Sequence, residues 1–443
     1  SALSLGLRKS DALGRLDNEL FAFMFPQTKA DEPKVIFNRA VVALRDSLPA
    51  HKAAQVEMAQ RLAAYQTREA RALLVKALAD PDPSVQRTAA TAAADRGYAE
   101  AVPVLLRWLS SWDERMRVAA AEALAKLGGP RVIPALVRAL GDPEHQVRLK
   151  VVESLGKLAH PNAVVPLLGA LQDTNTEVRK AVVGALARFK DRRTVIPLMG
   201  RLGDAAREVR IGAIKAIGVT GDRRAAPALI RLLRDPNAEV VEAAIDTLGL
   251  LGHDSATEAL IDLLNSGPAR HRQHAALALA RLRNDLAVRA LVGALRSSSL
   301  RAAARGALVT CGSLAAPAIA ELLSDPRTPR PVAIAAVEIA RDARLRRVTD
   351  RLVEQLRLGR LPTLLLINAL GAIGDRRAQR PLLELLDGRN YQIRLAALRA
   401  LGGVIDARAA EPLLEILAER GRELQLLAID YLGPVSYTHL TLP

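Results

Sequence analysis

The chain has 443 residues, half of them hydrophobic and only 3% aromatic. Its 63 Lys and Arg outnumber 47 Asp and Glu, which gives a formal net charge of +16, but the two signs are interspersed along the chain. A single cysteine, Cys311, excludes an internal disulfide and a Cys-based metal site. We find no run of roughly 18 apolar residues and therefore expect no membrane span. The lone cysteine suits a reducing compartment, so we favour a cytoplasmic location.

The first 67 residues differ in composition from the rest of the chain. They hold four of the five phenylalanines and show none of the periodicity that follows. Two interpretations stay open for residues 1–67. They form either a helical cap over the open apolar face of the first repeat or the remnant of an upstream domain.

A strict 31-residue period begins near residue 68 and continues, with small shifts in the later units, to residue 434. One unit shows the pattern: Arg131–Leu140 predicts a first helix, Gly141–Pro143 a turn, and Gln146–Leu158 a second helix. Neither helix can bury its apolar stripe alone, so neighbouring hairpins must cover it. The leucines that keep the period in the first helix are Leu105, Leu136, Leu167, Leu198 and Leu229.

The ends of the second helices carry a further signal. Most fall on a glycine such as Gly97 or Gly221, which suits the left-handed position that closes a helix. In other units the same place is taken by Ala159, Lys190 or Ala343. We expect each of these residues to mark the boundary between two hairpins.

These motifs resemble a known repeat family. The segments TVIPLMGRLGDAAREVRIGAIKAIG (194–218) and AQRPLLELLDGRNYQIRLAALRALG (378–402) are similar to the short bacterial HEAT repeats first grouped with phycobilisome lyases. The resemblance implies an all-α fold, an α-α superhelix or HEAT-like α-solenoid of about twelve helical hairpins. It implies many possible roles and singles out none of them.

The last nine residues, 435–443, break the composition of the repeats with the sequence VSYTHLTLP. This string resembles the translation of a sequencing adapter. We therefore predict three regions, namely residues 1–67, a repeat solenoid over 68–434, and a non-native tail over 435–443.

Aspartates and arginines recur in register beside the turn inside each hairpin. Each arginine follows an aspartate of its own turn by six residues, and we predict that such pairs hold the hairpins together across the stack. Because Val241 takes the arginine position after Asp235, we expect the ladder to stop there. The members of this predicted structural ladder are Asp142, Arg148, Asp173, Arg179, Asp204 and Arg210.

Arginines also gather at the turns between hairpins. In three of these turns an aspartate, a natural N-cap, precedes two arginines. The simplest interpretation is a solvated face, and the alternative is an edge that contacts an acidic partner. The residues of this candidate partner-binding edge are Arg192, Arg193, Arg223, Arg224, Arg344, Arg346, Arg347, Arg376 and Arg377.

The outward positions of the second helices argue against a uniform groove for a polyanion. We interpret His271 and His274, three residues apart, as two surface histidines in a basic stretch, because two ligands fall short of a metal site. The equivalent outward positions alternate in charge and are Glu153, Gly184, Lys215 and Asp246.

We find no catalytic or phosphate-binding motif, and Cys311 fits a buried gap-filling thiol. The sequence therefore predicts a non-enzymatic scaffold for protein–protein interaction, with no catalytic residue, cofactor or metal. Two alternatives remain open. The charge of +16 is compatible with DNA binding through the basic edge, and the family resemblance alone suggests a chromophore lyase or chaperone.

Overall fold

In the computed structural model, all regular secondary structure over the described residues is helical. The chain divides into two compact units, residues 1–197 and 198–443, which we describe separately. The predicted cap or remnant over 1–67 lies outside the described residues. The described backbone comprises residues 68–402, 410–418 and 422–439.

In the first unit, short first helices alternate with second helices of 13 or 14 residues. Each second helix packs against the second helices of the hairpins before and after it within the unit. Odd numbers denote first helices and even numbers second helices. The helices are α1 (Arg68–Ala77), α2 (Pro83–Asp95), α3 (Val102–Trp108), α4 (Glu114–Leu127), α5 (Ile133–Ala139), α6 (His145–Leu158), α7 (Val164–Ala170) and α8 (Thr176–Phe189).

The second unit repeats this arrangement, and α9 (Val195–Gly200) spans the boundary between the units. The remaining helices are α10 (Arg207–Thr220), α11 (Ala226–Arg231), α12 (Ala238–Leu251), α13 (Thr257–Ser266), α14 (Ala269–Leu282), α15 (Asp285–Ala294), α16 (Arg301–Cys311), α17 (Ala316–Ser324), α18 (Arg330–Asp342), α19 (Thr349–Leu358), α20 (Thr363–Ile373), α21 (Gln379–Glu384), α22 (Tyr391–Leu401), α23 (Ala410–Ala418) and α24 (Arg422–His439).

The described helices thus form twelve first-and-second pairs, and the predicted α-solenoid of helical hairpins is confirmed. The hairpin predicted over residues 131–158 is also confirmed, and its second helix covers His145–Leu158. The last helix runs to His439 and so includes part of 435–443. The proposed limits of the three regions stay a prediction.

The leucines of the 31-residue period form the core. The five named above are fully buried, as are their second-helix counterparts Leu124, Leu155 and Ile217. Full burial of one such side chain is worth about 1.5–3 kcal/mol. The period of the hydrophobic residues therefore identifies the core, because it places one apolar ridge of each helix between its neighbours.

Left-handed residues close the second helices, as the glycines predicted. Gly221 and Gly252 have φ of 65° and 60°, and the non-glycine residues Ala159 and Lys190 reach 49° and 52°. The second helix α18 ends with Ala343 as its C-cap, as expected, and the left-handed residue there is the next one, Arg344, with φ of 50°. A non-glycine residue tolerates this conformation only when the surrounding packing imposes it.

Glycines also let neighbouring second helices approach closely. A Cβ added to Gly249 of α12 would lie 2.9 Å from Ala278 Cα of α14. A Cβ on Gly156 of α6 would lie 2.8 Å from Ala185 Cβ of α8. The small residues thus fix the spacing of adjacent second helices in each unit, and with it the spacing of the side chains on their outer face.

One stretch among the described residues, Arg301–Ser324, is apolar and long enough to cross a membrane by length and composition alone. The sequence reading did not find it. Gly312, with φ of 60°, divides the stretch into α16 and α17. Helix α16 packs on α14 and α18, so the two halves belong to successive hairpins of the repeat.

Candidate functional site

Ladder arginines pair with the aspartate of the next hairpin at Arg117, Arg148 and Arg210, and the prediction of pairing within one turn is wrong for them. Arg117 Nε and Nη2 donate to the two carboxylate oxygens of Asp142 at 2.7 and 2.9 Å. Arg148 makes the same bidentate pair with Asp173, at 2.7 and 2.9 Å. The side chains of the first pair are only 9% and 7% exposed, so each rung is a nearly buried link between hairpins.

The arginine uses its own turn in a different way. The remaining nitrogen, Nη1 of Arg148, donates to the backbone carbonyls of Asp142 and Pro143 at 2.8 and 2.9 Å. Arg179 Nη1 likewise donates to the carbonyls of Asp173 and Thr174. The six-residue spacing seen in the sequence therefore reflects a side chain-to-carbonyl bond, while the aspartate side chain faces the preceding hairpin.

Each ladder aspartate also caps its own turn. Asp173 Oδ1 accepts from the backbone N–H of Asn175 at 2.8 Å, and Asp204 Oδ1 accepts from Ala206 at 3.0 Å. Burial would raise the pKa of Asp173, but the hydrogen bonds from Arg148 and from Asn175 N–H outweigh it, and the net pKa is lowered. The carboxylate is thus held in its ionised form by both hairpins.

The ladder extends one rung further than expected. Arg210 Nη2 donates to Asp235 at 3.0 Å, so Asp235 has a partner although Val241 follows it. Val241 takes the place of the arginine after Arg210, so the interruption of the ladder falls after the rung formed by Arg210 and Asp235. The guanidinium groups of the ladder arginines contact carboxylates and carbonyls within the chain. Few of their N–H donors therefore remain available to bind a polyanion.

The arginines of the predicted edge differ in their contacts. The second arginine of each Asp-Arg-Arg turn folds back onto its own aspartate: Arg193 Nη2 lies 2.6 Å from Asp191, and Arg224 Nη2 lies 2.6 Å from Asp222. The hydrogen bond from Arg193 lowers the pKa of Asp191. These aspartates cap the turns as the sequence predicts, since each also accepts from the N–H two residues later.

The edge is also interrupted. In the second unit the turns that follow Arg223 carry Asp254, Asp285 and Ser313 at the equivalent place. Arg223 itself donates to the carbonyl of Leu251 at 3.1 Å. The arginines of the second unit therefore do not form a continuous basic strip, and those of residues 344–377 stand apart as a local group.

The outer face of the second helices in the first unit is charged and internally paired. A groove of about 570 Å³ between α6 and α8 is lined by residues such as Glu153, Lys157 and Arg188. On this face Lys150 lies 2.9 Å from Glu153. In the last helical turn the register positions are all charged: Asp95, Lys126, Lys157 and Arg188.

The same register position is apolar on two helices of the second unit and is Arg281 on the next, α14. Val219 and Leu250 lie in the last turns of α10 and α12, 31 residues apart, and Leu277 lies on the adjacent α14, 31 residues after Asp246. They are 48%, 65% and 46% exposed. We call these three residues the apolar row, which the sequence analysis did not find. Comparison of the last-turn position would have found Val219 and Leu250, whereas Leu277 continues the register position of Lys215 and Asp246.

Polar groups stand beside the apolar row on the same helices. Lys215 and Asp246 precede Val219 and Leu250 by four residues, which places them one helical turn away on the same side. His274 Nδ1 lies 3.1 Å from the Asp246 carboxylate and so joins α14 to α12. The row is therefore an apolar strip with a polar border.

The expectation of two surface histidines is wrong for His271, which is buried. Its Nε2 lies 4.0 Å from the buried Glu242, and Arg270 Nε lies 2.7 Å from the same carboxylate. His274 is partly buried by its contact with Asp246. The spacing of three residues along α14 splits the two side chains between the core side and the outer face.

Cys311 is buried, and its sulfur lies 3.9 Å from the carbonyl of Ala280. Burial raises the pKa of the Cys311 thiol, although Arg283 opposes the shift. The thiol form is thus favoured, which is the opposite of what a nucleophile needs. Within the described residues no three His, Cys, Asp or Glu side chains come together in a group that could hold a metal ion.

Several solved structures are similar to parts of the chain. The Escherichia coli protein YibA matches 59% of this chain and 97% of its own, at 20% identity and a TM-score of 0.43. The CpcE–CpcF phycocyanin lyase complex from Nostoc sp. matches 54% of this chain and 92% of its own, at 21% identity and a TM-score of 0.32. Importin beta matches 90% of this chain and 69% of its own, at 13% identity and a TM-score of 0.50. These likenesses concern the fold alone.

No curated protein matches the chain in sequence. The HEAT repeats family matches it in five segments that together cover more than half of its length. The matched residues are 41–111, 71–149, 138–210, 197–280 and 364–433. The chain therefore belongs to the HEAT-repeat family.

Proposed function

We propose that this HEAT-repeat chain is a non-enzymatic scaffold that binds a segment of another protein, and that the apolar row is the contact. The observation that carries the proposal is the row itself. Three large apolar side chains, Val219, Leu250 and Leu277, stay about half exposed on adjacent helices, most of whose other apolar residues are buried. An exposed apolar strip with a polar border is typical of a protein-binding surface.

The occupant is a protein segment that presents apolar side chains flanked by charges. Apolar side chains of the segment would cover the apolar row, and its charged groups would meet Lys215 and Asp246, which carry opposite signs. A strip with both signs fits an extended segment of mixed charge better than a surface of one sign.

The alternatives find less support. DNA binding would need unpaired basic side chains in a continuous path, and the ladder arginines are paired with aspartates. A lyase or chaperone role for a chromophore has only the resemblance in fold. Catalysis would need a nucleophile or an acid–base group, and the buried Cys311 is favoured as a thiol.

Photo-crosslinking at single positions tests the proposal. A photoreactive phenylalanine analogue replaces Leu250, and in the matched control it replaces Lys157, which occupies the same register position in the first unit. The full chain is cross-linked in the cells that make it, and the attached peptide is sequenced by mass spectrometry. We expect one protein segment with apolar residues at the cross-link from position 250, and no such product from position 157.

Two results would contradict the proposal. The first is an absence of any specific product at position 250. The second is a product that survives the exchange Leu277→Asp unchanged, because a segment that lies on the apolar row must contact its neighbouring members too.

A further inference from the structure

Four arginines of the second unit form a group that we call the basic corner. The group lies on two consecutive turns between hairpins, one before α19 and one before α21. All four side chains are exposed. Its members are Arg344, Arg346, Arg347 and Arg376.

Arg377 ties the two turns together. Its Nη2 donates to the carbonyl of Arg346 at 2.6 Å and to Asp375 at 2.7 Å, and its Nη1 lies 2.5 Å from Asp350. Thr349 Oγ1 also lies 3.3 Å from the Asp375 carboxylate. These contacts hold the arginines of both turns beside one another. They also pair the carboxylates of Asp350 and Asp375 with Arg377.

The basic corner is left with excess positive charge. Segments 341–351 and 375–380 together hold eight arginines and three aspartates. Arg341 pairs with Asp342 at 2.8 Å, and Arg377 takes both of the others. Over the described part of the chain no carboxylate lies within ion-pair distance of the four corner arginines, which sets them apart from Arg193 and Arg224 of the same predicted edge.

We infer that the basic corner binds a short acidic segment of a partner protein. Exposed guanidinium groups recognise carboxylates through paired N–H donors. Among the described residues the group spans two turns, about 10 Å apart by usual helix packing, and Ser313 stands in the turn before it. A nucleic acid duplex carries one charge about every 1.7 Å over its whole length, so a longer basic path would suit it. The inference uses other residues than the apolar row and can fail independently of it.

Fluorescence anisotropy with the full chain tests the inference. The probe is a labelled peptide of about ten glutamates, compared with a neutral peptide of equal length and a labelled DNA duplex, at about 50 mM and about 300 mM salt. The test variant is R344Q/R346Q/R347Q/R376Q. The control, R192Q/R193Q/R223Q/R224Q, removes the same charge from the rest of the predicted edge.

We expect the glutamate peptide to bind at low salt, to weaken at least about tenfold in the test variant, and to weaken less than about twofold in the control. Circular dichroism should show equal helicity in both variants, since all eight arginines are exposed. Equal loss in the two variants would overturn the inference, because only net charge would then matter. Absence of peptide binding would also overturn it, as would tighter DNA binding that depends on the same four arginines.

Discussion

Two rows of side chains repeat along the same second helices and behave differently. The row at the first turn holds cross-hairpin arginines in both units, since Arg148 and Arg210 each reach an aspartate of the next hairpin, and it is interrupted at Val241. The row at the last turn changes from Lys157 in the first unit to Leu250 in the second. What stays constant holds the stack together, and what varies is free to face a partner. The comparison thus separates stability from binding on one helix.

The ladder should give the largest effect on stability. Asp142→Ala removes the carboxylate that two nitrogens of Arg117 contact and leaves the guanidinium nearly buried. We expect a loss of about 3 kcal/mol, seen by hydrogen exchange as faster opening of α4 and α6. Partner binding at the apolar row should persist. A loss below about 1 kcal/mol would contradict a stack held by these rungs.

A second prediction uses pH. Because the pKa of Asp173 is lowered in the folded chain, its ionised form stabilises the fold above the unfolded pKa of about 3.9, and that stability is lost as the pH falls through the folded pKa. Asp173→Asn should therefore cost about 1.5–3 kcal/mol at neutral pH and progressively less as the pH falls below the unfolded pKa and through the lower folded pKa. Thermal melts across this range would measure it. Thr174→Val, in the same turn, should show no such pH dependence.

Exchange of glycine for alanine should lower the stability where two helices approach closely and raise it where the glycine faces open space. Gly249→Ala forces α12 and α14 apart, since its Cβ would meet Ala278 at 2.9 Å, and we expect a cost of about 1–3 kcal/mol. Gly184→Ala meets nothing within 4 Å and should stabilise α8 by up to about 1 kcal/mol. Denaturation would compare the two variants. Equal effects would mean that close helix approach does not set the spacing of the outer face.

The smallest effect is expected at the exposed turns. Arg193→Gln removes a side chain that contacts only its own Asp191 and is 65% exposed. We expect a shift of the thermal midpoint much smaller than that of Asp142→Ala, because solvent screens an exposed ion pair. A loss as large as that of Asp142→Ala would break the distinction between ladder and edge arginines.

The sequence predicts the fold more fully than the surface. A period of 31 residues is enough to place Leu105 and Leu136 in the core, because only stacked hairpins can bury such a stripe. It cannot choose between aspartates of adjacent turns as the partner of Arg148, because both lie in register. That choice depends on the direction of a long side chain.

The contacts of surface side chains are harder to predict from the sequence, because residues of one type at nearby positions can have different partners. His271 looks like His274 in the sequence, and only helix α14 shows that one faces Glu242 and the other Asp246. The arginines of the edge also look alike, and their contacts separate Arg224 from Arg376. Pairing in space, rather than residue type, decides which charges are available to a partner.

The most direct test of the account is the affinity of the partner segment identified by cross-linking for two variants of the full chain. The variant V219D/L250D/L277D places charge on the apolar row. The control V165D/I196D places charge on two apolar residues of α7 and α9 that are at least as exposed. Calorimetry should show a loss of about 100-fold or more for the first variant and less than about twofold for the second, with unchanged helicity. Full affinity in the first variant, or an equal loss in the second, would contradict the account.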